Sequence, residues 1–97
     1  MIVSFADRAT EALYHGEGAG SARRFPPAIR ASALRKLDML NGAHTLQDLR
    51  SPPGNRLEAL RGDLAGRHSI RVNAQWRVVF RWSDAGPAEV RLTDYHS

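Results

Sequence analysis

Four residues have the chemical types needed to cut RNA without a metal ion. Glu58 can act as a base that takes the proton of a ribose 2′-hydroxyl, and His96 can act as the acid that protonates the leaving 5′-oxygen. Arg77 can stabilise the negative charge that develops on the phosphate between them. Tyr95 can orient that phosphate or stack on a base. DNA could not react in this way because it lacks the 2′-hydroxyl.

Arginine dominates the basic residues and is concentrated in one part of the chain. The sequence contains 14 Lys or Arg residues against 10 Asp or Glu residues, and 13 of the basic residues are Arg. Residues 56–81 contain six arginines and only two acids. Arginine holds phosphate with a planar set of donors and stacks on bases, so this segment predicts a surface for nucleic acid or another polyanion. A generally solvated basic surface is the alternative. The residues expected to contact RNA phosphate are Arg56, Arg61, Arg71 and Arg91.

Length and composition exclude several other classes of protein. With 97 residues the chain is expected to form one domain, 1–97, with a flexible glycine-rich loop at 16–25. No apolar run approaches the roughly 20 residues of a membrane span, and the N-terminus does not resemble a signal peptide, so we expect a cytoplasmic protein without a membrane partner. There is no cysteine, and the four histidines lack metal-ligand spacing. We therefore expect neither a metal nor a cofactor.

Hydrophobic periodicity changes from helical to strand-like along the chain. Residues 2–5 predict a short strand, Asp7 is expected to cap a helix that runs through Tyr14, and residues 28–41 predict an amphipathic helix. Four later segments alternate with a period of two and are separated by short turns, which predicts antiparallel strands. These segments are 56–60, 67–72, 76–82 and 88–95. The predicted class is α+β, with two N-terminal helices packed on one face of a small, mostly antiparallel sheet.

Alternation within the strands divides their side chains between two faces of the predicted sheet. The helices need the apolar face, so a carboxylate and three guanidinium groups are expected together on the open face. These residues are Glu58, Arg71, Arg77 and Arg91. The alternative is an ordinary cross-strand ion pair, which contributes about 0.2–1 kcal/mol. The same alternation puts Tyr95 on the open face, whereas His96 reaches it only if the strand has ended or twisted by then.

Two stretches of the sequence resemble a known family of bacterial toxins. The run "HSIRVNAQWRVVF" and the terminal "DYH" are similar to the HigB branch of the RelE/ParE superfamily, the plasmid-maintenance killer proteins. The similarity is greatest to GraT-like members, covers nearly the whole chain and weakens only in the loop at 16–25. It implies a RelE-like fold, in which a microbial-RNase-like sheet is flanked by two helices.

The resemblance also implies roles for individual residues. The residues that match the family's C-terminal catalytic motif are Asp94, Tyr95 and His96. Some HigB proteins have a histidine where this chain has Glu58, whereas the related YoeB-like toxins have a glutamate there that is assigned as the general base. The residues that match phosphate-contacting basic positions of those toxins are Arg61, Arg71 and Arg77, although Arg61 replaces a lysine.

The function that the resemblance implies is a ribosome-dependent mRNA interferase of a bacterial type II toxin–antitoxin system. Such a toxin cuts mRNA on the ribosome, which inhibits translation and arrests growth. Its expected partners are the ribosome, mRNA and a HigA-like helix-turn-helix antitoxin, and it reaches operator DNA only through the antitoxin complex. Two alternatives remain open. One is a ParE-like gyrase poison, and the other is a ribosome- or RNA-binding module without catalysis.

Overall fold

A computed structural model of the chain describes residues 1–16 and 23–94. Within these residues it contains two α-helices, α1 (Arg8–Tyr14) and α2 (Pro27–Gly42), followed by four strands. The strands are β1 (Glu58–Ala59), β2 (His68–Arg71), β3 (Trp76–Ser83) and β4 (Gly86–Asp94). They form one antiparallel sheet in the order β1-β2-β3-β4. The predicted α+β class is confirmed.

Both helices begin where the sequence provides a start signal. The Asp7 side chain accepts a hydrogen bond from the Thr10 backbone N–H at 2.8 Å, which satisfies one of the free donors at the start of α1. In α2 a proline occupies the first helical position, Pro27, where no backbone N–H is required. The helix ends at Gly42, the predicted stop.

The core lies between the two helices and one face of the sheet. From α2, the buried side chains are Ile29, Ala33, Leu37 and Leu40, which recur at helical spacing. They pack against strand residues that alternate along the chain and point to the same face of the sheet, namely Ile70, Val78, Phe80, Val90 and Leu92. One face of the sheet is therefore part of the core, and neither α1 nor α2 packs on the opposite face.

The N-terminal segment runs beside β4 without forming the strand predicted at 2–5. Its backbone follows the edge of β4, since the Val3 N–H donates to the Pro87 carbonyl at 2.8 Å and the Val90 N–H donates to the Ser4 carbonyl at 3.0 Å. Only Phe5 forms an isolated parallel bridge, to Val90. The expected strand is therefore wrong as a continuous element, because a register shift in β4 interrupts the ladder next to it.

Strand β1 has two residues, fewer than the predicted 56–60. Arg56 has a left-handed backbone conformation (φ 46°), which extended pairing does not allow, and Gly62 (φ 64°) turns the chain on the other side. Short 3-10 helical turns occupy the adjoining connections, at Leu46–Arg50, Pro53–Asn55 and Gly62–Leu64.

The segment between α1 and α2 is described only in part. Residues 17–22 of the expected flexible loop lie outside the described residues. Phe25, at the end of that loop, is buried and meets the Trp76 ring edge-on at a centroid distance of 5.8 Å. In the part of the chain that the structure describes, no helix has the length and apolar character required to cross a membrane.

Candidate functional site

The open face of the sheet, opposite α1 and α2, is here called the arginine face. Strand register places its side chains in rows, because directly opposed residues of antiparallel strands point to the same side. One row crosses all four strands and consists of Glu58, Ser69, Val79 and Arg91. The next row consists of Arg71, Arg77 and Thr93. The predicted grouping of Glu58 with Arg71 and Arg77 is therefore present.

Arg77 is held firmly at the centre of this face. Its Nη1 donates to the Ser69 hydroxyl at 2.9 Å and to the Arg56 carbonyl at 3.4 Å, and its Nη2 lies 3.7 Å from Glu58 Oε2. Only 13% of the Arg77 side chain is exposed, against 51% of Glu58. The guanidinium thus has a fixed direction, while the carboxylate beside it stays accessible to a ligand.

Arg71 lies directly across from Arg77 on the neighbouring strand. Two like charges in opposed positions of a sheet repel each other and destabilise it. In the described residues no acidic side chain forms an ion pair with Arg71, whereas Arg77 pairs with Glu58. A bound phosphate would relieve this repulsion, which makes the pair suited to an anionic ligand.

The loop that leads into β1 positions Arg56. The left-handed conformation of Arg56 turns its carbonyl toward Arg77 and leaves its own side chain exposed. Behind it, the fully buried Asn55 donates to the Leu49 carbonyl at 3.2 Å and accepts a hydrogen bond from Lys36 of α2. The loop is therefore fixed to the helical layer.

Three residues that support this region had not been singled out from the sequence, namely Lys36, Ser69 and Asn55. Burial lowers the pKa of Lys36, and the charge of Arg35 lowers it further. Ser69 could have been found, since alternation puts it on the arginine face between Glu58 and Val79. The role of Asn55 has no comparable signal, because its partners are distant in the sequence.

Arg61 and Arg91 lie outside the two strands that carry Glu58 and Arg77. Arg61 is exposed and precedes the 3-10 turn at 62–64. Arg91 is on β4, in the row of Glu58 but three strands away, which corresponds to about 14 Å across a sheet. Arg91 is thus far from Glu58, but it is one strand from Arg77 and diagonal to it, a separation of about 7–8 Å.

A second cluster of charges, beside Arg91, was missed by the sequence analysis. The Glu89 carboxylate accepts from Arg67 Nη2 at 3.0 Å and from Arg81 Nε at 2.8 Å. Hydrogen bonds from Arg81, and next from Arg67, hold the pKa of Glu89 below its ordinary value. Alternation alone placed Arg81 and Glu89 on this face, but the contact depends on the register shift in β4.

The C-terminal candidates are described only as far as Asp94. Asp94 is opposed to Trp76 and so belongs to the helix side of the sheet, and its Oδ2 accepts a hydrogen bond from the Gln75 amide at 3.0 Å. Tyr95 and His96 lie outside the described residues. Thr93, the residue before Asp94, is opposed to Arg77, so the C-terminal end of β4 lies next to the row of Arg71 and Arg77.

Comparison with known proteins gives the family. The family model for the RelE-like toxin of the type II toxin–antitoxin system HigB matches residues 3–96. The chain belongs to the HigB-like toxin family. It is 44% identical over 84 residues to Toxin HigB-1 of Vibrio cholerae, an alignment that covers 87% of this chain and 86% of that protein. It is also 38% identical over 61 residues to an uncharacterized protein of Haemophilus influenzae, covering 63% and 60% of the two chains.

A solved structure supports the fold of this HigB-like chain. The YoeB-YefM complex from Staphylococcus aureus superposes with a TM-score of 0.61 over 100% of this chain and 99% of the other, at 14% identity. At that identity the likeness concerns the fold alone. It agrees with the RelE-like architecture that the sequence predicted.

The histidines of this HigB-like protein do not assemble with acids into a metal site within residues 1–16 and 23–94. There, no group of three or more His, Cys, Asp or Glu side chains is close enough to hold an ion. His68 faces the helical layer and stacks on Phe80 at a centroid distance of 6.3 Å, and its buried Nδ1 has no hydrogen-bond partner among the described residues. It lies on the opposite side of the sheet from Glu58 and Arg77.

Proposed function

We propose that this HigB-like toxin is a ribosome-dependent mRNA endonuclease that cleaves by attack of the 2′-hydroxyl and so inhibits translation. The observation that carries the proposal is the accessible Glu58 carboxylate beside Arg77, which is opposed to Arg71, on the face of the sheet away from α1 and α2. A base next to a phosphate clamp is the minimum that RNA cleavage by its own 2′-oxygen requires.

The proposed reaction moves one proton at each end of the phosphate. Glu58 takes the proton of the 2′-hydroxyl, and the 2′-oxygen forms a bond to phosphorus while the bond to the 5′-oxygen breaks. His96 gives a proton to that leaving oxygen, so the products are a 2′,3′-cyclic phosphate and a 5′-hydroxyl. Arg77 stabilises the phosphorane charge, and Tyr95 orients the phosphate or stacks on a base.

The remaining predicted residues have supporting roles in this proposal. Asp94 is included through the C-terminal motif, and its position on the helix side fits a supporting residue rather than a direct contact with phosphate. The basic residues that hold the RNA backbone are Arg56, Arg61, Arg71 and Arg91. No metal and no cofactor takes part in this scheme.

The proposed partners follow from the family. We infer that a cognate HigA-like helix-turn-helix antitoxin neutralises the protein, that the ribosome and mRNA are its targets in the bacterial cytoplasm, and that operator DNA is contacted only through the antitoxin complex. The family match to a toxin–antitoxin system supports an antitoxin partner. The ribosome and mRNA are supported by the charge and exposure of the arginine face.

Mapping of mRNA ends tests the proposed activity. Purified protein is added to ribosomes that translate a defined mRNA, and primer extension locates new 5′ ends. Wild type should cut within translated codons, and His96→Ala and Glu58→Gln should lose about 10²–10⁴-fold in rate, as expected for general acid–base groups. Arg35→Gln, which changes an exposed arginine on α2, is the matched control and should cut like wild type.

RNA binding without cleavage is the second candidate function. It is favoured by the contact of Glu58 with Arg77, because a carboxylate in an ion pair can have a purely structural role and need not act as a base. In that case His96→Ala would remain toxic while Arg77→Ala would not, and no new mRNA ends would appear with the wild type.

A further inference from the structure

The cluster of Arg67, Arg81 and Glu89 has no part in the proposed cleavage. It occupies the arginine face at the end opposite the row of Arg71 and Arg77. Arg67 directly precedes β2 and Arg71 ends it, so the two are four residues of extended chain apart, a separation of about 13 Å. The cluster is thus a separate group on the same exposed surface.

Glu89 is fixed in an unusual conformation. Val79 pairs with Arg91, whereas Arg81 pairs with Ala88, so two β4 residues stand opposite a single residue of β3. Glu89 is one of those two and has a positive φ of 52°, which a side chain other than glycine seldom adopts. Its backbone N–H donates to the Ser4 hydroxyl at 2.9 Å. The surrounding contacts therefore impose this strained conformation.

The conformation directs the Glu89 carboxylate between two arginines. Glu89 Oε1 accepts from Arg67 at 3.0 Å, and Glu89 Oε2 accepts from Arg81 at 2.8 Å. Each guanidinium has five N–H donors, so most of them remain available to a ligand. The side chains are 28% and 48% exposed, respectively. Glu89 thus fixes the position of both cations without satisfying all their donors.

A cleft of about 130 Å³ opens beside the cluster. Its walls are Ala6, Leu64, Arg67, Val79, Glu89 and Arg91. Within the described residues no ion pair engages Arg91. Arg67, Arg81 and Arg91 together carry three positive charges against the one negative charge of Glu89, and apolar side chains form part of the wall. A ligand with an anionic group and an apolar or planar portion fits this composition.

We propose that this cleft is a second RNA-binding subsite, which holds a phosphodiester of a nucleotide on a stretch separate from the cleaved bond. Arg67 and Arg91, which line the cleft, bind the phosphate, and Arg81 contacts the RNA backbone beside the cleft. Glu89 is the positioning residue that orients Arg67 and Arg81. One single strand of a few nucleotides can follow a basic surface over about 13 Å and contact both clusters. The identification of the ligand as RNA rests on the proposed function.

Binding of short RNA measures this subsite directly. The probes are fluorescent 2′-O-methyl oligoribonucleotides of three and nine nucleotides, which cannot be cut, and vacant ribosomes. Arg67→Gln and Arg81→Gln should each weaken binding of the nine-nucleotide probe about three- to ten-fold, as expected for loss of one charge-assisted contact. The affinity of the trinucleotide for each of these two variants should equal its affinity for wild type. Each variant should also reduce the slope of log K against log salt by about 0.7.

The variants distinguish mRNA from ribosomal RNA as the source of the phosphate. A loss with the free nine-nucleotide probe assigns it to the mRNA strand, and a loss only with vacant ribosomes assigns it to ribosomal RNA; both outcomes support the subsite. Arg35→Gln on α2 is the control. If Arg67→Gln and Arg81→Gln both match that control with both probes, the subsite is wrong. Because the Arg81 side chain is half exposed, its variant stays informative if Arg67→Gln unfolds.

Replacement of Glu89 separates positioning from simple charge. Glu89→Gln removes a negative charge, so a merely basic surface would then bind RNA more tightly. If Glu89 orients the two arginines, the nine-nucleotide probe should instead bind about three-fold more weakly, and increased affinity would overturn the positioning role. Wild type that binds RNA through these arginines but cuts no translated mRNA would refute the proposed cleavage and leave the subsite standing.

Discussion

Ser69→Ala should loosen the central arginine of the face. Ser69 is fully buried, and its hydroxyl accepts from Arg77 Nη1 at 2.9 Å. The substitution removes this acceptor, which is nearer to Arg77 than the Arg56 carbonyl at 3.4 Å and Glu58 at 3.7 Å. We expect both the free energy of unfolding and the rate of RNA cleavage to fall.

The size of the effect follows from the charge and burial of Arg77. A hydrogen bond to a charged group contributes about 1.5–3 kcal/mol, and the remaining contacts favour the lower end, about 1.5 kcal/mol. In a chain of this length that loss lowers the melting temperature by about 6–12 °C. A guanidinium displaced by a fraction of an ångström should reduce cleavage about ten- to hundred-fold.

Thermal unfolding and single-turnover cleavage measure the two effects on the same preparation. Ser32→Ala is the matched control, because the Ser32 hydroxyl accepts from Arg35 at 3.0 Å on the exposed side of α2, where we expect less than about 0.5 kcal/mol. If Ser69→Ala changes neither the melting temperature nor the cleavage rate beyond this control, Arg77 is not held by Ser69 in the way proposed.

Three further predictions concern the framework. Phe80→Ala empties a fully buried position of the core and should cost about 3–5 kcal/mol in urea unfolding; a cost below 1 kcal/mol would contradict the described packing. Asn55→Ala should lower the free energy of unfolding by about 2–4 kcal/mol, because it leaves buried partners unsatisfied, and Asn55→Asp should not restore it. Backbone hydrogen bonds from His44 and then Thr45 lower the pKa of Asp48. The stabilisation is then fully present above the unfolded pKa of about 3.9 and is lost as pH falls through the lower folded pKa. Asp48→Asn should flatten this acid limb of stability, and an unchanged limb would refute the assignment.

Local patterns predicted most of the fold. The spacing of Ile29, Leu37 and Leu40 gave the buried stripe of α2, and alternation in β3 separated Val78 from Arg77. These signals are local because they depend on the helical and strand repeats alone. The late start of β1, at Glu58, was not predictable in this way, since it follows Arg56, a non-glycine residue whose positive φ no sequence pattern indicates.

The candidate site was predictable to the extent that it depends on strand parity. Parity brought Glu58 and Arg77 to one face, and the structure places their charged groups 3.7 Å apart. Strand alternation puts Asp94 on the opposite side of the sheet from Arg77, whereas Asp94 was included among the catalytic candidates because it matches the C-terminal motif. The Glu89 cluster depends on one inserted residue in β4, which shifts the register and can be seen only in three dimensions.

A single altered nucleotide tests the central claim most directly. Once the cut within a translated mRNA has been mapped, the same mRNA is prepared with one 2′-deoxynucleotide on the 5′ side of that bond and translated in the presence of the wild-type protein. Our account predicts that this cut disappears while cuts at unmodified codons continue and leave 5′-hydroxyl ends, because the attacking oxygen is missing at one place only. Cleavage that persists at the deoxy position would contradict it.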